Sequence, residues 1–263
     1  MTALDVAWSC KQRLLPREQS RRADLHAIEI NPSNAEDGYV VPDDVGAGAD
    51  DAKMTDRLTI VRRHWAPGTT LTVGFLDHPP AELRYRILWH MNAWATRANV
   101  RFVESAVDPK VRIARADDGH WSYVGTDIDL IAARAPTMNL GNFTMATADR
   151  EFLRVVRHEA GHTLGFVHEH MREEILGRLN RQKVIDAYMA SEGWDEQEAI
   201  RQVLTPLRKS SVRGTPDAHD DSIMCYPIPA ELTLDGKPIA GGDDIAESDY
   251  EFAASCYPFG GGA

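Results

Sequence analysis

The stretch from His158 to His168 reads H-E-A-G-H-T-L-G-F-V-H, and its spacing decides the fold. If Arg150 to Leu164 form a helix, His158 and His162 lie one above the other on the same face. Two imidazoles so placed bind one metal ion, each at roughly 2.0–2.1 Å for zinc. Glu159, one step round the helix, leans over the metal without being a ligand. Gly165 then breaks the helix, and His168 returns as a third nitrogen ligand. Three protein ligands leave the fourth tetrahedral position open for water, the catalytic rather than the structural arrangement. The flanks agree with a helix. Thr147 is the expected N-cap, Asp149 and Glu151 fall in the first turn, and Phe152, Val155, Val156 and Leu164 supply apolar anchors.

The full H-E-x-x-H-x-x-G-x-x-H pattern resembles the metzincin signature. Downstream, Ser222-Ile223-Met224-Cys225-Tyr226 resembles the Met-turn of that group, in the S-x-M-x-Y form of the astacin family. Methionine is apolar, flexible and polarizable, which suits the floor beneath a metal. Gly165-Phe166-Val167-His168-Glu169-His170 is similar to the astacin G-F-x-H-E-H run, and Trp121-Ser122-Tyr123-Val124-Gly125 to the W-S-Y-V-G run before the zinc helix. Ser248-Asp249-Tyr250 with Cys256-Tyr257 resembles the family's closing segment. Two places depart from the pattern: Met171 to Leu179, and Cys225 where astacins commonly carry histidine.

The resemblance to astacin-like metzincins, in a divergent bacterial-type branch, implies an α+β zincin fold. Its parts would be a twisted mixed five-stranded sheet, two long helices and a looser C-terminal subdomain carrying the Met-turn. It implies one Zn2+ per chain on His158, His162 and His168, and a zinc endopeptidase acting on peptide or protein substrates. Glu159 would be general base and then acid. Tyr226 would stabilise the oxyanion, with a fifth-ligand position in the resting enzyme. Met224 and Gly165 would shape the site, and Glu169 would engage the mature amino terminus. Trp121, Ser122, Tyr123 and Val124 would form the edge along which an extended substrate adds a strand. Two alternatives stay open: a latent, zymogen-like form held by the amino-terminal segment, and a zinc hydrolase of non-peptide amides or esters.

The bulk properties set limits. At 263 residues and 43% hydrophobic, the chain can bury ample core, yet it has no stretch near the ~20 apolar residues that span a bilayer. No membrane partner is therefore expected. A net charge of −11 disfavours nucleic acid, because phosphate binding needs clustered Lys and Arg. A monomer is favoured, with the oligomeric state left open. Met1 to Pro16 has too short an apolar run for a signal peptide, so the location is not fixed. Three cysteines cannot supply the two disulfides usual in secreted astacins. Cys225 and Cys256 are bridged or free; Cys10 is a free thiol or a thiolate plugging the zinc.

The expected organisation is an N-terminal extension over 1–54, prosegment-like or mobile, and a catalytic domain over 55–263, divided into 55–165 and 166–263. Asn31 to Asp56 reads as irregular, and a short helix is expected around Pro16 to Ile28. Strands are expected over Leu58–Arg63, Thr70–Leu76, Val100–Val103, Val111–Ala116, Trp121–Val124 and Pro136–Leu140. Pro79 and Pro80 open a helix reaching about Ala98, with Leu83, Ile87, Met91 and Trp94 on one face, and two more follow over Gln182–Ser191 and Asp195–Leu204. His64, His78, His90, His120, His170 and His219 lack ligand spacing, and Asp217, Asp220 and Asp221 lack the order of a calcium loop. Arg178, Arg208 and Arg213 are the cations that could line a specificity pocket.

Overall fold

Alternating apolar positions build the sheet. In Thr70–Phe75 (β2), Leu71, Val73 and Phe75 are buried at every second residue, the period of a strand with one face on the core. The computed structural model describes residues 10–35, 62–206 and 218–260. Within them Arg101–Glu104 (β3), Val111–Ala114 (β4), His120–Tyr123 (β5) and Met138–Leu140 (β6) join β2 in one sheet. A further strand, Lys11–Arg13 (β1), adds itself to the β5 edge, giving the order β1-β5-β6-β4-β2-β3. The resemblance implies five strands; the additional one comes from the amino-terminal arm. Only β5 and β6 pair antiparallel, so the sheet is mixed.

Helices cover the sheet. Ala81–Met91 (α2) buries Leu83, Ile87 and Met91; it stops short of the expected Ala98, and Trp94 follows in a separate 3-10 turn, donating from Nε1 to the Arg157 carbonyl at 2.8 Å. The helix carrying the histidines (α3) runs through Asp149–Glu151, a π-helical turn Phe152–Val156, and Arg157–Thr163. Its N-cap is Ala148 rather than Thr147. The Thr147 hydroxyl instead accepts from the Thr144 N–H at 2.9 Å, so the side chain closes the preceding turn. Arg181–Glu192 (α4) ends at Gly193, whose φ of 66° is the left-handed cap that glycine adopts without strain. Glu196–Ala199 (α5) continues as a second π-helical turn, Ile200–Leu204, and Glu247–Cys256 (α6) closes the described chain.

Residues 10–35 pack on the rest of the molecule. After β1 comes the helix Ser20–Ile30 (α1), with Ala23, Asp24 and Ala27 buried. Asn34 donates from Nδ2 to the His64 carbonyl at 2.7 Å and accepts at Oδ1 from the His64 N–H at 2.9 Å. Asn31 donates to the Trp65 carbonyl at 2.8 Å. Arg63 bridges Asp24 of this arm at 2.6 Å and Asp127 at 2.7 Å. The expected strand Leu58–Arg63 lies mostly outside the described residues, and Arg62 and Arg63 are in no strand. Among the described residues no helix is long and apolar enough to cross a membrane.

Candidate metal centre

The helix α3 places His158 and His162 one turn apart, and both are fully buried. It can stop where it does because Gly165 takes φ 95°, a left-handed turn in which a Cβ would lie 2.9 Å from the Arg63 carbonyl oxygen. That turn brings His168 back to the face it left. The three Nε2 atoms then stand 3.1, 3.3 and 3.0 Å apart. His158 and His162 donate their Nδ1–H to the carbonyls of Ile223 and Phe166 at 2.6 and 2.7 Å. A carbonyl only accepts, so each neutral ring keeps its proton on Nδ1 and presents a bare Nε2 lone pair inward. Burial depresses the pKa of all three, His162 to about 4, which keeps them in this neutral form. His168 is held differently: its ring packs beside those of His170 and Tyr226, at 4.9 and 4.6 Å.

The inward lone pairs of His158 and His162, with His168 Nε2 beside them, form a donor set suited to a cation. The fourth donor near them is the Cys10 thiol, 3.7 Å from His168 Nε2, and the four ligand atoms all lie within 4.8 Å of one another. A tetrahedral zinc ion requires edges of about 3.3–3.4 Å between nitrogens and about 3.6 Å between nitrogen and sulfur, given its usual bond lengths. The donor set and its size both fit zinc.

Glu159 is fully buried, and apart from the neighbouring Cys10 thiol its carboxylate oxygens have no hydrogen-bond partner among the described residues. Burial pushes its carboxyl up to about 8, with the Cys10 thiol pulling the other way. The same burial, reinforced by Glu159, raises the Cys10 thiol well above its usual range.

The turn that carries Met224 lies beneath α3. A Cβ on Gly161 would sit 2.6 Å from Met224 Sδ and 3.1 Å from the Trp94 ring, so only glycine lets helix, thioether and indole meet. Asp249 fastens this turn, accepting from Ser222 Oγ at 2.6 Å and from the Ile223 and Ala246 N–H groups at 2.9 Å. Glu169 ties it from the other side. Its N–H donates to the Met224 carbonyl at 2.9 Å, and its carboxylate accepts from Arg172 and from the His219 N–H.

Tyr226 is buried, and its hydroxyl accepts from the Cys10 N–H at 3.0 Å and donates to the Cys10 carbonyl. Trp121, Ser122 and Tyr123 lie on β5, paired in parallel register with Lys11, Gln12 and Arg13; Val124 follows, buried. The expected substrate edge is thus covered by the chain's own arm. Cys10, Cys225 and Cys256 are buried, and none of them forms a disulfide among the described residues.

Other residues were not visible from spacing alone. His170 stacks on Tyr226 at 4.1 Å, donates from Nε2 to the Gln202 carbonyl at 3.0 Å and accepts from the Tyr226 N–H. Its adjacency to His168 in the G-F-V-H-E-H run was the available signal. Tyr257 accepts from the Trp65 N–H and donates to the Leu164 carbonyl at the end of α3. Arg178 is engaged with Asp235 and the carbonyls of Lys237 and Pro238, whereas Arg208, Arg213 and Asp217 lie outside the described residues.

The chain resembles a known zinc metalloproteinase. The zinc metalloproteinase nas-27 of Caenorhabditis elegans is 31% identical over 117 residues, 44% of this chain. The chain spans only 25% of that relative's length. Two structures of myroilysin are similar at 28% identity, each over 75% of this chain. One has a TM-score of 0.71 with 96% of the myroilysin chain covered, the other, a crystal structure, 0.57 with 86% covered. Residues 59–190 match the model of the peptidase family described as Astacin. On that match, the chain belongs to the astacin family.

Proposed function

We propose that this chain is a zinc-dependent endopeptidase whose amino-terminal arm holds it latent. The observation that carries the reading is Cys10, whose sulfur completes a fourfold donor set with three histidines while β1 covers the β5 edge. His158, His162 and His168 would hold the zinc, with Cys10 as fourth ligand in the latent form. Bound zinc supplies Lewis acidity, lowering the pKa of water toward ~7 and polarising the scissile carbonyl.

The chain's own residues do the rest. Glu159 takes the proton of the attacking water and passes it to the leaving amine; with the Cys10 thiol gone, no group among the described residues competes for its oxygens. Tyr226, once released from Cys10, turns its hydroxyl to the oxyanion of the tetrahedral carbon. A peptide lies extended along Trp121, Ser122, Tyr123 and Val124, adding a strand where β1 now pairs. Met224 and Gly165 support the floor and the end of α3, and Glu169 braces the loop that presents His168.

The test compares the zinc-loaded full chain with its Cys10→Ala variant on quenched peptides, beside a panel of non-peptide amides and esters. The expected result is peptide hydrolysis faster in Cys10→Ala than in the parent. Hydrolysis confined to the non-peptide panel would overturn the endopeptidase reading, and equal rates for both proteins would overturn the latency.

A further inference from the structure

Gln202 has no part in the chemistry above, yet its side chain grips the cleft occupant. The Gln12 N–H donates to Gln202 Oε1 at 3.0 Å, and Gln202 Nε2 donates to the Gln12 carbonyl at 3.2 Å. In a parallel pair each residue aims both backbone groups to one side, so Lys11 and Arg13 face β5 while Gln12 faces away. Among the described residues, Gln202 is the partner of that outward pair. Its carboxamide, one donor and one acceptor side by side, acts as a one-residue strand on the far side of the arm.

The side chain is built into position. Its Nε2 also donates to Glu198 Oε1 at 2.9 Å, one helical turn back. A carboxylate only accepts, so Glu198 fixes which end of the amide is NH2 and leaves Oε1 facing the cleft. The Gln202 carbonyl accepts from His170, the ring stacked on Tyr226. Gln202 therefore keeps a fixed relation to the residues around the metal centre, within a π-helical turn, a distortion frequent at functional sites.

Nothing in these bonds reads the side chain of Gln12. We infer that Gln202 is a substrate-positioning residue: when the arm leaves, its carboxamide binds the outward-facing backbone N–H and C=O of the peptide that replaces it. The inference rests on the endopeptidase reading for its substrate and on the arm's geometry for its mechanism.

Two measurements test it. In the zinc-loaded full chain, Gln202→Ala is expected to speed modification of the Cys10 thiol by about tenfold, the worth of two neutral hydrogen bonds. After limited proteolytic activation of the full chain, the same variant should raise KM for a quenched peptide about tenfold and leave kcat within about twofold. A series of that peptide N-methylated at one position at a time carries the specific signature. Methylation at the amide read by Oε1 should raise KM in the parent and not in Gln202→Ala. Gln202→Glu keeps the acceptor, loses the donor, and should fall between; it also stands in if the alanine variant does not fold. Faster thiol modification with KM and the methylation pattern unchanged would confine Gln202 to the arm and overturn the substrate role. Unchanged thiol kinetics would overturn the grip itself. A parent that hydrolyses no peptide would count against the endopeptidase reading and overturn the substrate role with it, leaving the thiol kinetics to decide the grip.

Discussion

The Tyr226 hydroxyl holds both backbone polar atoms of Cys10, accepting from its N–H and donating to its carbonyl. One phenol thus clamps the residue whose sulfur faces the three histidines. Removing it should act in opposite directions on the two forms. Tyr226→Phe in the full chain should make Cys10 more reactive to thiol reagents, while peptide hydrolysis by the activated enzyme should fall by about 10²–10³ in kcat, the usual loss of one oxyanion donor. Stopped-flow thiol modification and steady-state kinetics read the two effects separately.

Arg63 bridges the buried carboxylates of Asp24 and Asp127. Deleting it leaves two charges facing each other away from water. Arg63→Ala is expected to cost about 3–5 kcal/mol of stability, the range for breaking a buried pair from one side. Asp24→Ala should cost less, because Asp127 keeps its guanidinium. Urea denaturation of the three proteins at matched zinc checks the order.

Asp249 accepts from three donors, the buried Ser222 hydroxyl and Ile223 N–H in the turn carrying Met224 and the half-buried Ala246 N–H. Asp249→Ala should lower stability by about 2–4 kcal/mol and weaken zinc retention, whereas Asp249→Asn, which keeps the shape, should lose less than half of that. Thermal denaturation with and without a chelator measures both.

Gly161 and Met224 should be energetically coupled. Gly161→Ala forces its methyl against the thioether and the Trp94 ring and should cost about 1–3 kcal/mol. Shortening the thioether first makes room, so the double variant with Met224→Ala should be more stable than the sum of the singles by about 1 kcal/mol in a double-mutant cycle.

Much of this was legible in the sequence because it is local. His158 and His162 share a face through helical spacing, Gly165 ends the helix, and β2 alternates, none of which depends on distant residues. The arm was not legible for the opposite reason. Lys11-Gln12-Arg13 is short and polar and has no alternating pattern, and it becomes a strand only because β5 offers an open edge. Cys10 carried no motif, so its place beside His168 follows from that pairing rather than from its neighbours. The Thr147 cap failed because its hydroxyl found a nearer partner at Thr144. Gln202 and His170 are tertiary placements, and sequence spacing has no term for them.

The most direct test of the zinc endopeptidase reading is elemental analysis paired with peptide hydrolysis, on the activated full chain and its Glu159→Ala variant. The account predicts about one zinc per chain in both proteins, turnover in the first and its loss in the second. A chain without zinc, or undiminished turnover in Glu159→Ala, would contradict it.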